Sequence, residues 1–283
     1  MEVDLHTHST ASDGTLSPTE LILEAKKLGL KAIALTDHDT TQGLEEACQA
    51  SQKEDVEFIP GCELSVQFKG MTHILGLWIN QKAPVLNKAF LFLQEKRKER
   101  NLKIIEKLNQ LGIELTYAEV QEKAKGTVGR PHIAQVLTQK KVTRSVQEAF
   151  EVFLNNQGKA YVPKEKFSPE QAIELLKQEQ ATVILAHPFS LNLSVLKLEK
   201  ALIYLKELGL DGIEAFYSEH SPALTQTYLH LAQKLDLQVS GGSDFHGQNK
   251  PHIKLGSGKN NLNLSYTLVQ RLKEYRAKQG LWV

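Results

Sequence analysis

Two pairs of potential metal ligands stand near opposite ends of the chain, each with one residue between its members. His6 and His8 occur in D-L-H-T-H-S, and Asp244 and His246 occur in G-S-D-F-H. Each pair follows a short apolar run typical of a strand, and side chains at i and i+2 of a strand share a face. Imidazole and carboxylate groups are common ligands of hydrolytic metal ions. The spacing therefore predicts that folding brings both pairs to one metal site.

Residues of the same types follow other predicted strands. His38 comes shortly after K-A-I-A-L-T, Glu63 follows V-E-F-I-P-G-C, and His187 follows V-I-L-A. His73 stands near the start of T-H-I-L-G-L-W, as expected for a hairpin partner that runs the other way. Functional sites of β/α barrels gather at the carboxyl ends of the strands. These side chains are therefore expected to converge on a polar, multinuclear metal site.

The elements that would position these residues alternate between strands and helices. Ser17 and Ser168 are each followed by proline, and both patterns predict the start of a helix. Gly29 and Gly209 predict helix ends. The order β-α-β-α-β-β, followed by further strand and helix pairs, is typical of the α/β class. We predict a mostly parallel sheet or barrel with helices outside it.

Residues 84–160 interrupt this alternation. They are rich in Lys, Glu, Gln and Leu, and their apolar residues recur at helical spacing, as in L-K-I-I-E-K-L-N-Q-L. The pattern predicts three or four helices and no strand. We therefore expect a barrel domain formed by residues 1–83 and 161–283, and an all-helical insertion domain formed by residues 84–160.

Composition limits the classes of protein to consider. The 283 residues carry 34 Lys and Arg against 33 Asp and Glu, a formal net charge of +1. This argues against a surface for long duplex DNA but permits a small anionic substrate. Cys48 and Cys62 form no C-x-x-C motif, which disfavours a disulfide framework and a thiolate zinc site.

No apolar stretch is long enough to span a bilayer, so no membrane partner is expected. A strand predicted from residue 2 or 3 leaves no room for a signal peptide, and we expect a cytoplasmic protein.

In chain order, the motifs H-x-H, D-H-D, G-C-E, T-H-I-L-G, A-H-P and S-D-F-H resemble the PHP (polymerase and histidinol phosphatase) superfamily of metal-dependent phosphoesterases. The resemblance covers residues 1–80 and about 180–260. It implies a distorted (β/α)7 barrel of the PHP type with two or three divalent ions. Mn²⁺ or Zn²⁺ is expected, and Fe²⁺ also fits nitrogen and oxygen ligands.

The resemblance also implies nine metal ligands. Two four-coordinate ions with open water positions need fewer, so we predict three ions, some sharing Glu63. Four of the nine, His6, His8, Glu63 and Asp244, are assigned to catalysis as well. The nine ligands are His6, His8, Asp13, His38, Glu63, His73, His187, Asp244 and His246.

A G-R-P-H motif at residues 129–132 begins a predicted helix within the insertion. It resembles the PHP subgroup that hydrolyses nucleotide phosphates. Members of that subgroup remove the 3′-phosphate of 3′,5′-bisphosphonucleotides, leaving AMP from 3′,5′-bisphosphoadenosine, and some trim short RNA from its 5′ end. The resemblance implicates Arg130 and His132 in binding substrate phosphate, which a guanidinium fork and a helix N-terminus both favour. His220, which follows a strand, is predicted to contact substrate.

Three alternatives stay open. A histidinol-phosphate phosphatase is disfavoured by the helical insertion. A non-catalytic PHP module that serves a polymerase or a regulatory partner is disfavoured because all nine positions hold ligand-type residues. A metal amidohydrolase is disfavoured because that class often uses a bridging lysine, and no lysine ends a predicted strand.

Overall fold

The computed structural model describes residues 2–124 and 128–283. The chain separates into two compact units. Met1–Lys88 and Phe167–Val283 form the first, which we call the barrel unit, and Ala89–Lys166 form the second, the insertion unit. Sequence composition predicts the corresponding boundaries after residues 83 and 160.

Seven strands in chain order build the sheet of the barrel unit. They are β1 Val3–Asp4, β2 Ala32–Leu35, β3 Glu57–Val66, β4 Thr72–Leu77, β5 Thr182–Leu185, β6 Gly212–Tyr217 and β7 Gln238–Gly242. β4 runs antiparallel to β3 and β5, and the other neighbours are parallel. Just beyond the ladders, Thr7 and Phe245 form a parallel bridge, and Leu5 N–H donates to the Gly241 carbonyl over 3.2 Å. The sheet is thus nearly closed, and the predicted distorted barrel is confirmed.

Helices connect the strands, and the sequence signals for their ends are largely observed. The Ser17 and Ser168 hydroxyls each accept a hydrogen bond from the third helical residue, Glu20 or Gln171. Gly209 ends its helix at φ 115°, in the left-handed region that favours glycine. The helices of the barrel unit are α1 Pro18–Lys27, α2 Leu44–Glu54, α7 Pro169–Gln178, α8 Val195–Leu208, α9 Pro222–Lys234 and α10 Thr267–Lys278.

The insertion unit contains helices and no strand among its described residues. α3 Pro84–Gln110 begins in the barrel unit, and its residues from Ala89 onward belong to the insertion unit. α4 Tyr117–Gln121, α5 Arg130–Gln139 and α6 Val146–Ala149 follow, and a π-helical turn covers Phe150–Leu154. A separate core holds these helices together. Its buried residues include Ile104, Leu108, Val120, Ile133, Leu137 and Leu154. None of the described helices has the length and apolar character needed to cross a membrane.

Most predicted ligands lie just beyond the carboxyl ends of strands, but Glu63 does not. It lies inside β3, as His73 lies inside β4, so the prediction that Glu63 ends its strand is wrong. The register explains the difference. β3 pairs with β2 only up to Pro60, and from Gly61 onward it pairs with β4. Glu63 therefore stands at the edge of the parallel part of the sheet although its own strand continues.

The alternation expected of a strand is also absent at Asp244. Its φ is 58°, outside the extended region, so Asp244 and His246 do not meet through a regular strand. His187 has a positive φ as well, at 27°. Such conformations cost roughly 1–3 kcal/mol for residues other than glycine and concentrate at functional sites. The backbone therefore bends where these side chains are presented.

A buried arginine joins the last helix to the barrel. The Arg276 side chain of α10 is fully buried, with Cζ 5.3 Å from the centroid of the Trp78 ring and 5.4 Å from that of Trp282. Its Nη1 donates to the Gln180 carbonyl and to the Thr182 hydroxyl, both at 2.9 Å. The guanidinium thus connects α10 to the start of β5.

We predict that Arg276→Ala lowers the melting temperature by several degrees. The change removes these hydrogen bonds and leaves a cavity, a loss of about 2–4 kcal/mol. Arg271→Ala, at an exposed position of the same helix, should shift it by about one degree or less. Thermal unfolding followed by circular dichroism makes the comparison. Equal shifts in the two variants would show that Arg276 does not hold the helix in place.

Candidate metal centre

The carboxylate of Glu63 lies at the centre of the gathered histidines. It is fully buried, and three ring nitrogens surround its Oε2 atom. His6 Nε2 and His8 Nε2 each lie 3.2 Å from Oε2, and His38 Nδ1 lies 3.0 Å from it. One oxygen therefore faces side chains that follow two different strands, β1 and β2.

The other Glu63 oxygen faces the opposite side of the barrel end. Oε1 lies 2.9 Å from His73 Nδ1 and 3.0 Å from His187 Nε2. His73 belongs to the antiparallel strand β4, and His187 follows β5. The two oxygens of the Glu63 carboxylate thus contact histidines from four segments: those that follow β1, β2 and β5, and β4 itself.

Asp244 provides a second buried carboxylate. Its Oδ1 lies 3.2 Å from His8 Nε2, 3.5 Å from His6 Nε2 and 3.3 Å from His246 Nδ1. The predicted pairs His6–His8 and Asp244–His246 are therefore in contact, as their spacing indicated. The hydrogen bond from Asp244 N–H to the His6 carbonyl, 2.8 Å long, holds the two segments together.

Asp13 is the most exposed of the predicted ligands, with 55% of its side chain accessible. Its Oδ1 lies 3.2 Å from His246 Nε2, and its Oδ2 lies 4.0 Å from His38 Nε2. The turn that carries it is held by Asp37, whose carboxylate accepts hydrogen bonds from the Ser9 hydroxyl at 2.6 Å and the Ser12 hydroxyl at 2.5 Å. Asp13 thus lies on the solvent-exposed side of the site.

The arrangement fits divalent metal ions. Both ring nitrogens of His8 and Nδ1 of His38 are buried without a hydrogen-bond partner among the described residues, although carboxylate oxygens lie close to them. Lone pairs that converge without hydrogen-bond geometry are suited to a shared cation. Three groups have ligand atoms within 4.8 Å of one another. They are His8, Asp13, His38 and His246; His6, His8, Glu63 and Asp244; and His38, Glu63 and His73.

The structure thus brings all nine predicted ligands into one cluster. Eight belong to these three groups. The ninth, His187, joins them through its contact with Glu63 Oε1. Glu63, His8 and His38 each belong to two groups, so the groups overlap rather than forming separate sites.

The charges of the cluster shift its ionisation. Burial alone would raise the pKa of Glu63, but the positive charges of His38, His6 and His73 hold it well below its usual range. Burial likewise opposes protonation of His8, yet its contacts with Asp244 and Glu63 raise the pKa of His8 to about 9. Without metal, the carboxylates are therefore ionised and His8 holds a proton at neutral pH. A metal ion must displace that proton to bind.

Glu214, on β6, is a supporting residue that the sequence did not identify. It is fully buried, and its Oε1 lies 3.0 Å from His6 Nδ1. Its Oε2 accepts a hydrogen bond from the His187 backbone N–H at 2.7 Å. A carboxylate on one ring nitrogen fixes the orientation of the ring and leaves the other nitrogen for a metal. An acidic residue inside the apolar strand G-I-E-A-F is the signal that could have identified it.

Asp244 is held in a similar way by two residues outside the predicted set. The Tyr217 hydroxyl donates to its Oδ2 at 2.7 Å, and Lys250 Nζ lies 2.7 Å from the same atom. The Oδ1 atom is then left to face the histidines. Asp4 supports the same region through hydrogen bonds accepted from the Ser243 N–H and hydroxyl.

None of the three predicted substrate contacts belongs to the three ligand groups of the described residues. His220 is buried, its Nδ1 donates to the Ala215 carbonyl at 3.0 Å, and its ring packs edge-on against Phe189. Arg130 and His132 belong to the insertion unit. His132 Nδ1 accepts a hydrogen bond from Gly129 N–H at 3.0 Å, at the start of α5. A substrate role for these three residues stays a prediction.

We predict that Glu214→Gln weakens Mn²⁺ binding by about 10- to 100-fold, because the His6 ring loses its charged partner. Glu219→Gln removes an acid that pairs with Lys259, in the segment after β7, and it should leave metal affinity unchanged. Competition with a fluorescent chelator measures both affinities. Wild-type affinity in Glu214→Gln would exclude the orienting role.

The raised pKa of His8 gives a second prediction, on pH. In the metal-free protein, protonated His8 contributes stability fully below pH 6.5 and loses it as pH rises through about 9. Metal binding near neutral pH should therefore release protons, and metal affinity should increase as pH rises toward about 9 and level off above it. Calorimetric titration with Mn²⁺ in two buffers of different ionisation enthalpy detects the release. Identical heats in both buffers would contradict it.

Comparisons with known proteins agree with this geometry. The family model for the PHP domain matches residues 4–186. A 5′-3′ exoribonuclease of Haemophilus influenzae is 35% identical over 244 residues, 86% of this chain and 89% of that protein. The 3′,5′-nucleoside bisphosphate phosphatase of Chromobacterium violaceum is 30% identical over 247 residues, 86% of this chain and 87% of that protein.

A solved structure gives the same result. A Bifidobacterium adolescentis protein classed as a metal-dependent phosphoesterase superimposes with a TM-score of 0.75 at 30% identity, covering 98% of this chain and 96% of that one. The resemblance inferred from the motifs is thereby confirmed, together with the hydrolase class. The chain belongs to the PHP family and is a metal-dependent phosphoesterase.

Proposed function

We propose that this enzyme removes the 3′-phosphate from 3′,5′-bisphosphonucleotides, and that short RNA is trimmed from its 5′ end at the same site. The observation that carries the proposal is the overlap of three ligand groups around Glu63 and His8, an arrangement that would suit a multinuclear centre acting on a phosphoester. The relatives named above, an exoribonuclease and a nucleoside bisphosphate phosphatase, support a nucleotide as the substrate.

The number of ions is part of the proposal. Each of the three groups offers three or four ligand atoms, and Glu63 belongs to two of them. Its Oε2 contacts the histidines after β1 and β2, whereas its Oε1 contacts His73 and His187. This division supports three ions bridged in part by Glu63, with Mn²⁺ or Zn²⁺ as the expected metal and Fe²⁺ compatible with the same ligands.

Bound divalent ions lower the pKa of water and stabilise the negative charge of a phosphoryl group in displacement. The residues of the three ligand groups would hold those ions, and neighbouring residues orient the ligands. Glu214 fixes the ring of His6, and Tyr217 and Lys250 fix the carboxylate of Asp244. Burial of the Glu63 carboxylate excludes bulk water from the inner side of the site.

Substrate should approach from the side of the exposed ligands. Asp13 is 55% accessible and His38 is 25% accessible, whereas His6 and Glu63 are fully buried. Lys250 is 37% accessible at its side chain and carries a positive charge beside Asp244. Its ammonium can interact with a phosphate oxygen at this entrance. By resemblance, Arg130 and His132 are proposed to bind substrate phosphate and His220 to contact the substrate.

We predict selective release of phosphate from 3′,5′-bisphosphoadenosine with added Mn²⁺, compared with AMP and histidinol phosphate. A chelator should abolish turnover, and Glu63→Gln should reduce kcat by at least about 100-fold, because its carboxylate links the ligand groups. A 5′-phosphorylated short RNA tests the second activity. Faster turnover of histidinol phosphate would favour the alternative phosphatase.

Metal analysis of the purified protein accompanies this assay. Three ions per chain are expected from the three overlapping groups. One ion or fewer per chain would contradict the trinuclear centre.

A further inference from the structure

A serine joins two of the ligand-bearing segments at the end of the barrel. Ser190 lies in the short 3₁₀ turn Pro188–Leu191, which follows His187, and its hydroxyl oxygen lies 2.8 Å from His187 Nδ1. The same oxygen lies 2.6 Å from the carbonyl of Met71, between β3 and β4. His73 follows Met71 by two residues and belongs to β4. One hydroxyl thus contacts the ring of one ligand and the turn that precedes another.

The single hydrogen of this hydroxyl decides which nitrogen of His187 holds a proton. Two carbonyls lie within reach of Ser190 Oγ, that of Met71 at 2.6 Å and that of His187 at 2.9 Å, and a carbonyl can only accept. When the hydroxyl donates to a carbonyl, its oxygen is left to accept a hydrogen bond from His187 Nδ1. A neutral imidazole with its proton on Nδ1 keeps a lone pair on Nε2.

This lone pair faces the centre of the ligand cluster. His187 Nε2 lies 3.0 Å from Glu63 Oε1, and the same oxygen lies 2.9 Å from His73 Nδ1. A nitrogen lone pair and a carboxylate oxygen at this separation are suited to a shared cation. A hydrogen bond at the far nitrogen of a ligating histidine fixes the ring and makes the near nitrogen a better ligand. Ser190 is placed to provide that hydrogen bond.

The backbone holds the same two segments together. Met71 N–H donates to the Ser190 carbonyl at 3.0 Å, and Ala186 N–H donates to the His73 carbonyl at 3.1 Å. Gly70 permits the close approach, because its φ is 52° and a Cβ atom there would lie 2.5 Å from the Ser190 carbonyl oxygen. The turn before β4 therefore packs directly on the 3₁₀ turn and fixes the place of the Ser190 hydroxyl.

His187 needs such support because its own backbone is strained. Its φ of 27° is a conformation that persists only where the surrounding structure holds it. The His187 N–H donates to Glu214 Oε2 at 2.7 Å, whereas the ring is held through Nδ1 by Ser190. Glu214 thus fixes the backbone of this residue, and Ser190 fixes the orientation of its ring.

We propose that Ser190 is a positioning residue for metal binding, which keeps the lone pair of His187 Nε2 aimed at a divalent ion shared with Glu63. The inference rests on the proposed function, in which His187 is a metal ligand. The turn at Gly70 and Met71 belongs to the same arrangement, because it orients the Ser190 hydroxyl. Loss of this hydroxyl should weaken the binding of one ion. Ions held by the group His6, His8, Glu63 and Asp244 should stay bound, because His187 does not belong to it.

The first test is Mn²⁺ binding by the full-length, metal-free protein, measured by competition with a fluorescent chelator. Ser190→Ala should weaken the affinity for one ion by about tenfold or more. Ser190→Thr keeps the hydroxyl and should bind that ion within about threefold of wild type. Ser194→Ala makes the alanine change at the exposed residue before α8 and should match wild type. Wild-type affinity for every ion in Ser190→Ala would overturn the proposal.

Nuclear magnetic resonance tests the position of the proton without metal or substrate. Metal-free protein labelled with ¹⁵N-histidine is used, and comparison with His187→Gln assigns the signals of the His187 ring. Wild type and Ser190→Thr should show a proton on Nδ1, and Ser190→Ala should show altered Nδ1 and Nε2 shifts. A wild-type ring without a proton on Nδ1, or identical shifts in Ser190→Ala, would refute the role of the hydroxyl.

The turn before β4 gives a second variant with its own control. Gly70→Ala places a Cβ against the Ser190 carbonyl and should weaken the same ion by a similar factor. Gly29→Ala introduces the same left-handed strain at φ 75°, where an added Cβ meets no described atom within 4 Å, and it should keep wild-type affinity. Since both changes act on one contact, the double variant Ser190→Ala/Gly70→Ala should lose little more than either single variant. Fully additive losses would contradict the shared arrangement.

Metal affinity and turnover separate this inference from the proposed reaction. If Ser190→Ala loses metal affinity but wild type hydrolyses neither nucleotide nor RNA, the positioning role stands and the proposed reaction fails. If wild type hydrolyses the bisphosphate and Ser190→Ala binds every ion normally, the positioning role is refuted and the reaction stands. If Ser190→Ala does not fold, Ser190→Cys takes its place, because a thiol is a weak acceptor and the same loss is expected. Wild-type affinity in Ser190→Cys would then overturn the proposal.

Discussion

The Glu63 carboxylate carries a negative charge in a place without access to water, and the arrangement of the barrel end follows from the need to compensate it. Burying an ionised carboxylate costs several kcal/mol unless charges or hydrogen bonds replace the lost hydration. Here five histidines supply that compensation, from both sides of the group. The histidines in turn depend on further carboxylates, Glu214 and Asp244. Each charge in the cluster is tolerated because of its neighbours, so the members depend on one another.

The antiparallel strand β4 is what makes this arrangement possible. A barrel of parallel strands alone would present ligands only after strand ends. The β3–β4 hairpin instead continues past the parallel ladder, with Glu63 opposite Leu75 and His73 opposite Ser65 in the register. Ligands on both strands of the hairpin can then enter the centre of the site. The distortion of the barrel thus has a chemical role, because it places the Glu63 carboxylate among the histidines of four segments.

The sequence predicted the parts of the site that short-range patterns encode. His6 with His8, and Asp244 with His246, were found because ligand types recur at close spacing after apolar runs. Glu214 was not, because the residue it contacts, His6, is 208 positions away and nothing local shows the pairing. The position of Glu63 within β3 was also missed, since an apolar run does not show where a strand changes its partner from β2 to β4.

The closure of the sheet between β1 and β7 has a consequence for biosynthesis. The segments that meet there carry His6 and Asp244, which are joined by a backbone hydrogen bond across almost the whole length of the chain. On the ribosome, His6 emerges well before Asp244, because six strands of the barrel lie between them. A nascent chain can therefore expose histidines long before it can assemble a complete ligand group. Full occupancy of the metal site must await release of the carboxyl-terminal segment, so that hydrolytic competence arises only in a finished barrel.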